Sequence, residues 1–366
     1  MTCEWGPLRL FRNHQGHLVD GTAAAGFAER TGLWQGIAAR DVDGDGDIDY
    51  IVTNLGLNTR YRASSAAPFL CYYGDLDGSG STNLLELRPE AGEWFPMQRR
   101  RALLAAMPRL TDLFPNATRF AQMDHRALLS LAPPCQLRRL EVNTLESGVW
   151  LNDGHARFTF HPLPRLAQNA PAFGVIATEI DGDGHPDLLI AQNSSQAQFD
   201  TGRMRGGLGL LLRGHGDGSF AVVPPSESGV ILPQDARSIG LVDSNSKAGP
   251  LIVIGCNDTD AILLSPRPER ANRFFSVRLR GPRGNPTGLG AKVTIAHASG
   301  LRQSAEVSAG GGYLSQSSAT LYFGNPEHDP AQSVQIRWPN GTNSVVEIAG
   351  HASLSIPHPS FAPAPR

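Results

Sequence analysis

The chain has 366 residues, a formal net charge of -2 and 18% charged side chains. Such a balance gives no basic face for nucleic acid, and no apolar run is long enough to cross a bilayer as a helix, so neither nucleic acid binding nor membrane insertion is expected. The 40 glycines and 27 prolines suit many short strands joined by tight turns and predict an all-β protein.

The chain opens on LRLFRNHQGHLVDGT at 8–22, two short runs around a polar glycine turn, which predicts a β-hairpin. At 34–54, WQGIAARDVDGDGDIDYIVTN places an acidic glycine-rich loop between two apolar runs, and PFLCYYGDLDGSGSTNLLEL at 68–87 repeats the plan. Residues 97–131 break the rhythm with Leu, Ala, Arg and Met at helical spacing, interrupted at Pro108 and Pro115. They predict a helical insertion that covers a sheet edge or loop face, or else forms part of a ligand pocket. GVWLNDGHARFTFHPL at 148–163 is a second hairpin. FGVIATEIDGDGHPDLLIAQN at 173–193 then aligns without gaps with 34–54, and LGLLLRGHGDGSFAVV at 208–223 is a third hairpin. RSIGLVDSNSKAGPLIVIG at 237–255 keeps both apolar runs, but its loop has lost the acidic pattern.

Two strands around an acidic loop plus two from a hairpin make a four-stranded antiparallel sheet, and several such sheets set radially make a β-propeller. Residues 1–264 are therefore expected to form a propeller of about four to five blades, small or incomplete. A proline- and charge-rich linker follows at 265–273. Six strand-like runs over 274–350 predict a small β-sandwich or barrel, with Pro339-Asn340-Gly341 as a type I′ hairpin turn, and 351–366 is expected to be a disordered proline-rich tail.

The acidic loops carry the chemistry. In DVDGDGDID, Asp41, Asp43, Asp45 and Asp49 fall at loop positions one, three, five and nine, and the carbonyl of Asp47 falls at seven. So many carboxylates in one turn repel unless a cation neutralises them, and oxygen donors suit a hard ion such as Ca2+. Position twelve is Val52 rather than the glutamate of an EF-hand, and a strand follows each loop instead of a helix. Glu179, Asp181, Asp183, the His185 carbonyl and Asp187 form a second complete set. Asp75, Asp77, Ser79, the Ser81 carbonyl and Asn83 form a weaker third set with two charges. The fourth loop has Asp243 and Asn245 but Lys247 at its centre, so no ion is expected there. The alternative for each loop is a plain Asp-Gly turn without metal.

At these residues the sequence resembles the FG-GAP/VCBS repeat proteins. The segment from Gly281 onward resembles an ASPIC/UnbV domain through Gly288-Leu289-Gly290-Ala291, Gly310-Gly311-Gly312-Tyr313-Leu314-Ser315-Gln316 and Arg337-Trp338-Pro339-Asn340-Gly341. The pairing is similar to the cartilage acidic protein family. That resemblance implies Ca2+ binding, an extracellular, cell-surface or periplasmic location, and adhesion to a protein or carbohydrate surface. The opening hairpin then looks like the outer half of a blade whose inner strands are missing.

No HExxH, GxSxG or P-loop pattern is present, so a non-enzymatic scaffold is expected. The other readings are a lectin using Trp34, Trp94 or Trp150, or an enzyme with a site on the propeller face. Asp124 and His125 are adjacent on a helical stretch and do not face one another as an acid–base pair would. Gly310 to Gln316 offers either a backbone nest for an anion or a tight strand connection. Cys3, Cys71, Cys135 and Cys256 lack zinc spacing and are expected to pack as small apolar side chains.

Overall fold

The runs flanking all four loops are strands, as their aliphatic and β-branched residues demand of a pleated, half-buried surface. The computed structural model describes residues 1–123, 125–130, 137–198, 200–243, 249–257, 259–266, 273–348 and 351–361. Strand makes up 42% of the chain and helix little, so the protein is all-β. Ile37–Arg40 pairs antiparallel with Asp49–Val52, Phe69–Gly74 with Asn83–Glu90, Ala172–Thr178 with Asp187–Gln192, and Ala236–Val242 with Leu251–Cys256. Two hairpins extend these pairs into four-stranded sheets. Gly148–Asn152 adds to Asp49–Val52 and is followed by Phe158–Pro162; Leu210–Gly214 adds to Asp187–Gln192 and is followed by Phe220–Val223. The fourth pair gains Ile262–Leu264 alone among the described residues.

The chain divides into two compact units, and the division does not follow the expected boundary after residue 264. One holds Met1–Trp34, Leu57–Leu145 and Gln196–Arg203, and the other holds Gln35–Gly56, Glu146–Ser195 and Met204–Arg366. Residues 57–145 enter between the second and third strands of the sheet that starts at Ile37, so the loop at 75–83 belongs to an inserted unit, not to the next repeat in line.

In the first unit the sheet runs Arg138–Val142, Phe69–Gly74, Asn83–Glu90, Glu93–Pro96. The helical insertion is present as Arg100–Ala106, Ala117–Ala121 and His125–Leu129, with a 3-10 turn at Pro108–Leu110 where proline removes a helical donor. Leu103, Met107, Leu110 and Met123 pack on Leu70, Leu85 and Leu87, so the insertion covers a sheet face. Asp124 and Cys135 lie outside the described residues, as does most of the predicted linker; Cys3, Cys71 and Cys256 are free thiols.

In the second unit the first strands of three sheets, Ile37–Arg40, Ala172–Thr178 and Ala236–Val242, lie side by side. The glycine repeated at the head of the unit explains how. A Cβ on Gly36 would stand 2.1 Å from the Phe173 carbonyl, and one on Gly174 would stand 2.8 Å from the Ile239 amide, so only glycine lets neighbouring strands approach. The apolar faces fill the space between these sheets with Val42, Ile51, Val175, Leu188, Ile190 and Leu212, and with Ile176, Leu189, Ile239 and Ile254.

The C-terminal segment folds as two sheets around Phe275, Val277, Val293, Ile295, Phe323, Val334, Ile336 and Trp338. One runs Leu321–Gly324, Phe274–Arg280, Ser353–Pro357; the other runs Arg302–Glu306, Lys292–His297, Ala331–Arg337, Asn343–Glu347. Two expectations are corrected here. Ser353–Pro357 is a strand, parallel to Phe274–Arg280, and Ile356 enters the core, so the tail is ordered up to the described limit at residue 361. The turn at Pro339–Gly341 has a positive φ at Gly341 (85°) but not at Asn340, and is closed by Trp338 N–H to Thr342 O; it is therefore a longer loop with one left-handed glycine and not type I′.

The degenerate fourth loop gives the first testable consequence. Its centre lies outside the described residues, but Asp243 accepts from the Thr320 hydroxyl (3.1 Å) and the Tyr322 hydroxyl (3.5 Å). Tyr322 is 5% exposed. Asp243→Ala is expected to lower stability by about 1–3 kcal/mol by leaving a buried phenol without its acceptor. Denaturant unfolding of Asp243→Ala alone and combined with Tyr322→Phe checks this: the second change should recover much of the loss, and equal losses would contradict it.

Candidate metal centre

The loop after Arg40 is held open by its own hydrogen bonds. Gly44 and Gly46 take φ of 79° and 93°, which turns successive amides inward. The Gly44 amide donates to Asp41 Oδ1 (2.9 Å), Asp45 to Asp43 Oδ1 (3.3 Å) and Asp47 to Asp45 Oδ1 (2.7 Å). Asp49 accepts Val42 N–H on one oxygen (2.9 Å) and Asn152 N–H on the other (2.8 Å), which ties the loop to the third strand of its sheet. Asp41, Asp43 and Asp49 each bring a carboxylate oxygen within 4.8 Å of the others. Asp45, predicted at position five, is exposed and outside that group; its carboxylate caps the Asp47 amide.

Burial and mutual repulsion both act on the carboxyls of this cluster. Burial pushes the Asp41 carboxyl up to about 6 and the Asp49 carboxyl up to about 7, and the charges of neighbouring loop aspartates push the same way. The Gly44 amide and the Ser304 hydroxyl pull the Asp41 carboxyl the other way without offsetting its burial. An oxygen-only set of three converging, mutually repelling carboxylates fits a hard cation, which Asp41, Asp43 and Asp49 would hold.

The loop after Thr178 has the same trace and a different wiring. Glu179, Asp181 and Asp187 converge within 4.8 Å. The longer Glu179 side chain, however, reaches two amides, Gly182 at 2.7 Å and Gly184 at 2.9 Å, so both its oxygens are engaged. Asp181 is paired with the Arg213 guanidinium at 2.7 Å, and Arg213 also bonds Glu227 at 2.9 Å. Burial, then the Asp187 charge, drives the Glu179 carboxyl well above its usual range, and burial pushes Asp187 up to about 7. Asp183 is exposed, with its carboxylate on the His185 amide (2.8 Å). An internal guanidinium already supplies part of the positive charge this second set needs, a feature that Arg213, thirty-odd positions away in sequence, concealed from motif spacing.

The third loop closes on itself. Asp75 accepts Ser79 and Gly80 amides at 3.0 and 2.9 Å, Asp77 accepts Ser79 N–H at 3.2 Å, and the Asn83 amide group bonds the Ser81 carbonyl at 3.3 Å. Asp77 Oδ2 alone is buried without a partner. The Arg109 guanidinium of the insertion also donates to the Gly78 carbonyl. Two carboxylates and a bonded-off carbonyl make this the poorest of the three sets.

One residue escaped the sequence. Arg40, directly before the first loop, is 3% exposed. Its Nη2 donates to the Tyr322 carbonyl (3.0 Å), the group lies 4.7 Å from the Phe323 ring centre, and Nε makes no hydrogen bond. Burial lowers its pKa to about 10, while the charges of Glu179 and then Asp41 hold it cationic. The signal available was a charge ending an apolar run, where the aligned repeat has Thr178.

The C-terminal sheets reach both loops of this unit. Lys292 donates to the Gly46 carbonyl, and a Cβ on Gly324 would stand 2.5 Å from Glu179 Oε2. Gly312 exchanges hydrogen bonds with Ile37 (2.6 and 3.1 Å), Tyr313 packs edge-on against Phe173 at 5.2 Å, and Ser317 and Ser318 bond Leu241. Within the Gly310–Gln316 signature, Gly312 therefore spends its backbone groups on Ile37 and Tyr313 its ring on Phe173, each in the first strand of a sheet. Residues 281–360 match the ASPIC and UnbV family. No curated protein matches the chain. The ASPIC/UnbV domain is thus packed into the unit that carries the two stronger loops, instead of hanging from a linker.

Proposed function

We propose that this chain is a calcium-dependent, non-enzymatic interaction scaffold of the FG-GAP/VCBS propeller type. The observation that carries it is the convergence of Asp41, Asp43 and Asp49, each with a carboxylate oxygen within 4.8 Å of the others. Calcium tolerates the irregular geometry of a loop-borne carboxylate set, whereas magnesium demands a near-ideal octahedron. Asp41, Asp43 and Asp49 form the principal site. The Glu179 loop is weaker because Arg213 competes for Asp181, and the Asp75 loop weaker still. An extracellular, cell-surface or periplasmic setting supplies the calcium such modules use, and the partner is a protein surface. The lectin alternative needs exposed aromatic rings, whereas Trp34 and Trp150 are each 2% exposed and Trp94 bonds the Pro68 carbonyl.

Calorimetric titration of chelator-treated protein with calcium is expected to show one dominant binding event, accompanied by a rise in Tm. Absence of both would overturn the proposal. The pH dependence adds a second check. Asp41 and Asp49 have folded-state values of about 6 and 7 against 3.8 unfolded, so the ion-free fold binds extra protons and loses that stabilisation as pH rises through 6 to 7. Calcium needs the same carboxylates deprotonated, so it acts in the opposite sense. The difference in Tm between calcium and chelator should therefore be larger at pH 8 than at pH 5. A difference independent of pH would contradict the assignment.

A further inference from the structure

The strands Lys292–His297 and Arg302–Glu306 pair so that Thr294 faces Ser304 and Lys292 faces Glu306. Side chains alternate along a strand, so the burial of Val293, Ile295 and Ala305 in the C-terminal core turns Lys292, Thr294, Ser304 and Glu306 to the opposite side. On a free sheet that side would meet water, yet Ser304 is 1% exposed. What covers it is the repeat that carries the first acidic loop: Arg302–Glu306 lies against Ile37–Arg40, the strand that leads into that loop.

Two side chains of this face end on the loop itself. The Ser304 hydroxyl donates to the Asp41 carboxylate, and the Thr294 hydroxyl stands 3.1 Å behind it. The Lys292 ammonium donates to the Gly46 carbonyl at the centre of the loop and shares a cleft with Asp47. Its cross-strand neighbours are Glu306 and Arg337, so this row brings two cations and one carboxylate up to a loop that carries Asp41, Asp43, Asp45, Asp47 and Asp49. The second loop is met differently. There the same segment offers Gly324 and the apolar Leu301 side chain, and the positive charge comes from Arg213 in the loop's own sheet.

We infer, resting on the calcium occupancy proposed above, that the C-terminal sheet sets the cation affinity of the first loop: Ser304 positions Asp41 for the ion, and Lys292 opposes it. A hydrogen-bonding partner behind a metal ligand fixes its orientation and is commonly worth about ten- to hundredfold in affinity. A fixed ammonium beside the loop repels the incoming cation. Occupancy of the loop and seating of the C-terminal segment are then one linked equilibrium. Whatever Ser304 adds to calcium affinity, calcium returns to the attachment of Arg302–Glu306.

The test uses the full chain and calcium alone, with titration calorimetry for affinity and amide hydrogen exchange for the place of the response. Ser304→Ala should weaken calcium binding by about tenfold. Lys292→Met should strengthen it by about fivefold at low salt, a gain that shrinks as salt screens the charge. Loosened packing would shift both variants in the same direction, so opposite signs separate the two roles from a merely structural one. In the wild type, saturating calcium should slow exchange in 302–306 as well as in 41–52; Ser304→Ala should lose the first effect and keep the second. No calcium binding by the wild type would sink the proposed function and this inference together. Calcium binding with unchanged affinity in both variants, with lost affinity in both, or with slowed exchange confined to 41–52 would leave the proposed function standing and overturn the inference.

Discussion

Replacing Arg40 by leucine is expected to lower the stability of the ion-free protein by about 3–5 kcal/mol, the usual penalty for leaving buried charge without its counter-ion. Arg40 is 3% exposed, and its guanidinium donates to the Tyr322 carbonyl and stands as the fixed positive charge for Glu179 and Asp41. Its removal leaves these two buried carboxyls with only protons or a bound cation to neutralise them. Calcium should therefore recover part of the loss, and low pH should recover part as well, since protonating Asp41 removes the uncompensated charge. Arg40→Lys keeps the charge but cannot match the planar group over Phe323, and should fall between the two. Urea unfolding with calcium and with chelator measures all three. A loss under about 1 kcal/mol for Arg40→Leu would mean that the side chain acts through packing alone.

The second large effect concerns the proposed ligands. A cation bound only by the folded state stabilises by about 2.7 kcal/mol at one hundred times its dissociation constant. Asp43 is only partly buried and has few structural duties beyond the Asp45 amide, so Asp43→Ala should remove that increment while leaving the ion-free protein close to wild type. Asp181→Ala should do less to calcium binding, because Arg213 already competes for that carboxylate; its cost falls on the ion pair instead. Asp75→Ala should leave the calcium-induced rise in Tm unchanged. Thermal unfolding of the three variants with calcium and with chelator separates them. Equal calcium responses in Asp43→Ala and wild type would remove the principal site from the first loop.

The repeat in the sequence determined the local plan by itself. Strand, acidic glycine loop and strand are set by short-range chemistry: alternating aliphatic residues bury one face, Gly44 and Gly46 supply positive φ, and aspartates at alternate positions cap the amides of the same turn. The all-β class and the strands of the ASPIC/UnbV segment follow from the same local signals. What the sequence could not determine is who meets whom. Nothing local distinguishes a hairpin at 148–163 that completes the sheet begun at Ile37 from one that starts a new sheet, so the insertion of 57–145 emerged only from pairing across nearly a hundred residues. Loop spacing likewise gave Glu179 the rank of a ligand equal to Asp41. One extra methylene lets it reach a second glycine amide, and Arg213 arrives from the next strand of the sheet to share the charge. Arg40 was silent in the sequence because its partners, the Tyr322 carbonyl and the Phe323 ring, come from a segment some 280 residues away. A carboxylate's capacity to hold a cation depends on which donors the fold has already spent on it, and that is settled by tertiary contact alone.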